Sequence, residues 1–155
     1  MRYWFISRHG EAEPYATNDK SRRLTERGQA DLQSLWQRLK EEKAGELPTA
    51  ILASPYVRAQ ESAAIIAETL GITHIKTIDT LVPEGRVSEV LETLQGLTTR
   101  EHYLVVSHMP LVGHLYAHWV QGLGSKPANF SVAQVVALTG EPLLGEGKVR
   151  WHEKP

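Results

Sequence analysis

Four side chains in this sequence could handle an anion together: Arg8, His9, Arg58 and His108. An arginine presents a planar fork of donors that matches phosphate or carboxylate. A histidine is a nucleophile or an acid–base group that titrates near neutral pH. Two fixed positive charges and two imidazoles therefore suit a phosphoryl group, with its nearly two negative charges and three acceptor oxygens. Each residue also has a plain reading. Arg8 and His9 could be a solvated strand edge, His108 could bond a loop carbonyl, and Arg58 could pair with Glu61 on a helix surface for little energy.

The elements that must position these residues favour the shared reading. Arg8-His9-Gly10 closes the apolar run Tyr3-Trp4-Phe5-Ile6, which reads as a buried strand. Gly10 there would let the chain turn sharply and a ligand come close. Ala50 to Ala53 is a short buried strand. Ser54 then reads as a helix N-cap and Pro55 as the first helical residue. That puts Arg58 in the first helical turn, where a cation opposes the helix dipole. The conflict vanishes if an anion bound there serves both Arg58 and the helix amides. Tyr103 to Val106 is apolar and β-rich without alternation, the mark of a strand buried on both faces. His108 lies just past it, as His9 lies just past the first strand. In open α/β sheets, ligands bind at these carboxyl ends.

Between these points, Glu11 to Arg23 is a polar loop. Thr25 caps a helix whose stripe is Leu32, Leu35, Trp36 and Leu39, with Gly28 allowing close packing on the sheet. Ala59, Ala63, Ile66, Ala67 and Leu70 mark a second helix, and His74 to Ile78 a third strand. Val87, Val90, Leu91 and Leu94 mark a third helix. Leu111, Leu115, His118 and Trp119 form the inward face of a fourth. Ala133 to Leu138 and Val149 to His152 form a closing hairpin. The pattern predicts an α/β fold: a mostly parallel sheet flanked by helices on both faces, with an antiparallel C-terminal strand pair. Residues 1–155 are predicted to make a single compact domain, with Trp4, Trp36 and Trp119 in its core.

Composition narrows the partners. A net charge of −1 gives no footprint for nucleic acid and no polybasic membrane patch, so any positive potential must be local. Without cysteine there is no disulfide or thiol chemistry. No apolar run approaches a membrane span and the N-terminus lacks a signal-peptide pattern, which predicts a cytoplasmic protein. His114 and His118 stand i, i+4 on a helix, a possible metal pair. His-Leu-Tyr-Ala-His lacks the glutamate of the zinc-protease motif and no third ligand is evident. No metal and no cofactor are predicted.

The motifs together resemble a known family. Arg8-His9-Gly10, then Arg22-Arg23-Leu24-Thr25-Glu26-Arg27-Gly28, then Ser54-Pro55-Tyr56-Val57-Arg58-Ala59-Gln60, then Ser107-His108-Met109-Pro110 occur in the order of the histidine phosphatase superfamily. The short chain without insertions is most similar to its compact SixA-type phosphohistidine phosphatase branch. The resemblance implies a phosphoglycerate mutase-like fold and a metal-independent phosphatase. In it, His9 is the nucleophile that forms a phosphohistidine intermediate. Arg8, Arg58 and His108 hold the phosphoryl oxygens and stabilise the transition state. Bound dianion would favour protonated His108. Arg22 either rims the phosphate site or is plain surface charge. For the general acid, Glu84 and Glu11 are the candidates, each also readable as a solvated loop carboxylate.

The implied substrate is phosphohistidine on a signalling or phosphotransfer protein, such as a histidine-containing phosphotransfer domain. Two alternatives stay open. One is a phosphomonoesterase acting on a small phosphate ester in the same pocket. The other is a phosphoprotein-binding module without catalysis, which would not need His9. A chain without lid insertions leaves an open site, which suits a protein surface better than an enclosed metabolite.

Overall fold

The computed structural model describes residues 1–97 and 100–155. In chain order these form β1 (Trp4–Arg8), a 3-10 turn (Asp19–Ser21), α1 (Glu26–Glu42), β2 (Ala50–Ala53) and α2 (Val57–Leu70). Then come β3 (Ile75–Thr77), α3 (Val87–Gln95), β4 (Tyr103–Ser107), α4 (Leu111–Gln121), β5 (Val135–Thr139) and β6 (Lys148–Glu153). The strands make one sheet in the order β3-β2-β4-β1-β5-β6. β3, β2, β4 and β1 run parallel, β5 lies antiparallel to β1, and β6 antiparallel to β5. The expected α/β architecture and the closing antiparallel pair are both present.

Side-chain alternation along the strands builds two cores. Phe5, Ile51, Leu104 and Val106 face α1 and α2, joined by Leu32, Trp36 and Ile66. Trp4, Ile6, Leu52, Tyr103 and Val105 face α3 and α4, joined by Leu91, Leu115 and Trp119. With helices on both faces, a central strand has no polar side to show, which is why β4 reads as unbroken apolar sequence. Trp4, Trp36 and Trp119 are buried, as expected.

Three local expectations need correction. The third strand is shorter than His74 to Ile78. All three residues of β3 are exposed, Ile75 included, because β3 is the sheet edge, while Ile72 and Ile78 beyond its ends pack on opposite cores. Ser54 does not cap α2. The helix starts at Val57 and its N-cap is Tyr56 without a side-chain bond; Ser54 Oγ accepts from Tyr56 N, at 3.2 Å, ahead of the first turn. Gly28 does not pack on the sheet. A Cβ there would lie 2.2 Å from the carbonyl oxygen of Glu11, so α1 abuts the loop that leaves β1.

Gly10 completes that contact from the other side, since a Cβ on it would lie 2.8 Å from Leu32 Cδ1. It does not adopt the left-handed backbone conformation. A small residue is needed here for close approach to α1 rather than for a special turn. Thr25 caps α1 as predicted: its Oγ1 accepts from Gly28 N at 2.9 Å.

Candidate active site

Strand register brings the predicted residues to one edge. In the β1–β4 pair Arg8 is opposite Ser107, and His9 N donates to Ser107 O at 3.0 Å. His9 and His108 therefore leave neighbouring strands side by side, with ring centroids 5.0 Å apart. In the β2–β4 pair Ala53 is opposite Val106, and Ser54 N donates to Val106 O at 3.0 Å. Ser54 thus joins the row, and its Oγ lies 2.7 Å from His108 Nε2. Arg58, the second residue of α2, enters from above the same edge and donates from Nε to His9 Nε2 at 3.2 Å. His9, Arg58 and His108 are almost fully buried.

The hydrogen bonds of His9 define its tautomer. Nδ1 lies 2.7 Å from the carbonyl oxygen of Gly10, an acceptor only, so Nδ1 carries the proton. Nε2 is left with its lone pair, and Arg58 donates to it. Burial lowers the His9 pKa to about 4, and the nearby charge of Arg58 adds to the effect although the Gly10 carbonyl opposes it. His108 is lowered to about 3, by burial first and then by His9 and Arg58. Both rings are neutral at pH 7, and His9 offers an unprotonated ring nitrogen.

The arginines are held by backbone carbonyls, which leaves charge in reserve. Arg8 donates from Nη1 to Phe130 O at 2.8 Å, and its Nε is buried without a partner. Arg58 donates from Nη1 to Asp19 O at 2.7 Å and from Nη2 to Asp19 Oδ2 at 3.2 Å. Arg22 donates from Nε to the other Asp19 oxygen at 2.9 Å and from Nη1 to Glu13 O at 3.0 Å. Partial burial alone would raise Asp19, but the Arg22 hydrogen bond and the Arg58 charge prevail and hold it below the usual carboxylate range. Burial disfavours the charges of both Arg8 and Arg58; the Arg58 charge adds to this at Arg8, while at Arg58 the Asp19 carboxylate opposes it and Arg22 adds to it. Such a cluster gains from a bound anion. His108 Nδ1, like Arg8 Nε, is buried and unpartnered; a phosphoryl group beside His9 would give both atoms work.

The plain reading of Arg58 fails, because Glu61 is taken by Arg23, whose Nη2 lies 2.8 Å from Oε2. Arg22 sits at the rim, sharing Asp19 with Arg58. Glu11 is committed to the start of α1, where its Oε1 accepts from Thr25 Oγ1 at 2.9 Å. Glu84 lies exposed on the turn before α3, a turn tied to the site strand where Ser107 Oγ donates to Leu81 O at 2.8 Å. The rings of His114 and His118 stand 6.3 Å apart, and among the described residues no group of three potential ligands surrounds a metal position.

Several contributors escaped the sequence reading. Ser62 accepts from Gly10 N at 3.0 Å and donates to Arg58 O at 2.7 Å, clamping α2 to the loop after β1. Tyr56 lies between Arg58, whose guanidinium carbon is 5.0 Å from the ring centroid, and His108, 4.9 Å away edge-on. Ala133, with φ of 64°, donates its N–H to His9 O at 2.8 Å. A non-glycine residue in this region carries strain, and here it aligns the backbone of His9. Of these only Tyr56 carries a signal by residue type, as an aromatic two residues before Arg58.

Two buried neutral imidazoles make stability depend on pH. In the unfolded chain each titrates near 6.5, whereas the folded values are about 4 for His9 and about 3 for His108. Below pH 6.5 the unfolded state therefore binds more protons. The stability is fully present above pH 7 and is lost as pH falls through 6.5 toward 4, by on the order of a few kcal/mol. Urea midpoints at pH 7.5 and 4.5 measure this. The drop at the lower pH should shrink in His9→Ala, and an equal drop in both proteins would show that His9 titrates normally.

The histidine phosphatase superfamily (branch 1) model matches residues 4–82, which include Arg8, His9 and Arg58. Phosphohistidine phosphatase SixA of Escherichia coli (strain K12) is 33% identical over 156 residues, covering 97% of this chain and 92% of that protein. A phosphohistidine phosphatase SixA homolog of Haemophilus influenzae is 38% identical over 122 residues, covering 73% of this chain and 74% of that one. A solved structure of the protein histidine phosphatase SixA complexed with tungstate superposes with a TM-score of 0.87 at 31% identity, covering 99% and 97% of the two chains.

Proposed function

The chain belongs to the histidine phosphatase superfamily, and from that premise we propose that it is a phosphohistidine phosphatase, acting through a covalent intermediate on His9. The observation that carries this reading is the unprotonated Nε2 of His9, buried at 3.2 Å from Arg58 Nε. The Nε2 lone pair attacks phosphorus, and the bond from phosphorus to the substrate nitrogen breaks. Arg58 Nε, which had occupied that lone pair, is freed for a phosphoryl oxygen. His9 keeps its Nδ1 proton, and the Gly10 carbonyl at 2.7 Å steadies the positive ring that forms. The substrate imidazole leaves neutral when its other nitrogen already carries a proton, so a P–N bond needs less from an enzymic acid than an ester does. Water then attacks phosphorus, the His9–phosphorus bond breaks to return the neutral ring, and both water protons leave on inorganic phosphate as H2PO4⁻. Arg8, Arg58 and His108 hold the phosphoryl oxygens throughout. Arg22 supports the rim. Glu84 is the candidate acid for substrates that need one.

No helix among the described residues is long and apolar enough to cross a membrane. We further propose that residues 1–155 form one catalytic unit, that it is cytoplasmic, and that its partner is a histidine-containing phosphotransfer protein of a signalling or phosphotransfer chain. A side-by-side assay tests the substrate class: a phosphohistidine protein, small sugar phosphates and an aryl phosphate, each with and without chelator. The phosphohistidine protein should be turned over fastest, with rates unchanged by chelator. Faster turnover of a sugar phosphate would transfer the assignment to a phosphomonoesterase. Activity lost to chelator and restored by a divalent ion would overturn the metal-independent chemistry.

A further inference from the structure

We propose that Ser54 is a positioning residue that holds neutral His108 in the tautomer protonated on Nδ1, so that the ring offers an N–H donor to the phosphoryl group without carrying charge. The inference rests on the phosphatase reading only for what the donor meets; the tautomer follows from hydrogen-bond bookkeeping around Ser54. Its hydroxyl has one hydrogen and two lone pairs. Ser54 is fully buried, and Tyr56 N donates to its Oγ at 3.2 Å. The remaining neighbour is His108 Nε2, at 2.7 Å. If Nε2 donated, both lone pairs of Oγ would be filled. The hydroxyl hydrogen would then be buried, with no other acceptor in reach among the described residues. If the hydroxyl donates to Nε2, every polar atom of Ser54 is satisfied and the proton of His108 must sit on Nδ1.

The second observation lies at the other end of the ring. Nδ1 is buried and has no partner. An unpaired N–H facing a site built for an anion is a donor in waiting, whereas an unpaired lone pair there would repel phosphoryl oxygens. The Ser54 geometry selects the first. It also removes the need to protonate a ring that stands 5.0 Å from His9 and close to Arg58. The position of Ser54, one residue past β2 and beside β4, is what makes the bond possible.

Long-range proton–nitrogen correlation spectra of the 15N-labelled protein at pH 7 test this without turnover. His108 should show a protonated Nδ1 and an acceptor-type Nε2, and the Nδ1 proton should shift on adding inorganic phosphate. In Ser54→Ala the Nε2-protonated form should appear, with kcat/KM on phosphohistidine protein lower by about tenfold, the loss of one hydrogen bond. Ser54→Thr, which keeps the hydroxyl, should restore both. A wild-type His108 protonated on Nε2 overturns the proposal, even if the variants fail to fold. So does Ser54→Ala with the wild-type tautomer. A wild type with the expected tautomer but no phosphoenzyme would instead defeat the covalent phosphatase reading.

Discussion

His9→Ala should form no phosphoenzyme and should lose hydrolysis of phosphohistidine protein by on the order of 10³-fold or more, leaving the residual rate of a site that still binds and polarises phosphate. The wild type, quenched rapidly without acid after mixing with labelled substrate, should yield an alkali-stable, acid-labile adduct, as a P–N bond requires. His9 is more enclosed than a residue just past a strand end suggests, at 5% exposure, so the variant is not silent in stability. It deletes two buried hydrogen bonds, to Gly10 O at 2.7 Å and from Arg58 Nε at 3.2 Å, which cost about 1 kcal/mol each. It also deletes a ring that burial keeps neutral, with Arg58 adding to the effect. The fold should therefore survive, and circular dichroism with a urea melt would separate lost chemistry from lost structure. A folded His9→Ala protein with near wild-type hydrolysis would end the covalent mechanism, because water would then be attacking the substrate directly.

Arg58→Ala should still form the phosphoenzyme, but slowly, with kcat lower by about 10²- to 10³-fold, the usual effect of removing one charge-assisted clamp from a buried site. The residue does three things at once. It donates to His9 Nε2 at 3.2 Å, it ties down Asp19 through both Nη atoms, and its charge depresses the pKa of both histidines. Arg58→Lys should recover little, because a point charge with no fork cannot hold Asp19 and reach His9 together. The signs of the pKa changes give a second check. With Arg58 gone, His9 and His108 should titrate higher than in the wild type but still below 6.5, since burial is the larger cause for each. Unchanged histidine titration together with a rate within threefold of wild type would show that Arg58 neither touches the nucleophile nor clamps the phosphoryl group.

Sequence alone was most informative where one residue type has few uses. The unbroken apolar run at Tyr103 to Val106 could only be a strand covered on both sides, and the structure covers it with α1 and α2 on one face and α3 and α4 on the other. The stripe Leu32, Leu35, Trp36, Leu39 could only be an amphipathic helix, and Thr25 its cap. Arg8, His9, Arg58 and His108 were legible because the ends of apolar runs mark strand ends, and parallel strands end at a common edge. Those are statements about periodicity and chain direction, which are local properties.

What the sequence could not supply was the identity of each side chain's partner. Ser54 before proline has the local pattern of an N-cap, yet the helix starts only at Val57, and strand pairing puts the Ser54 hydroxyl 2.7 Å from His108 Nε2. Arg58 and Glu61 sit three apart on one helix, yet Glu61 faces Arg23 and Arg58 turns to Asp19, which reaches the site from a loop. Glu11 follows His9 by two residues, yet the docking of α1 turns its carboxylate toward Thr25. Sequence determined which residues reach the carboxyl edge of the sheet, because hydrophobic period and chain direction are written locally. Tertiary structure decided which atoms meet there, because sheet register and helix docking set contacts between residues far apart in the chain. The lone pair on His9 Nε2 and the unpaired Nδ1 of His108 are set by such contacts.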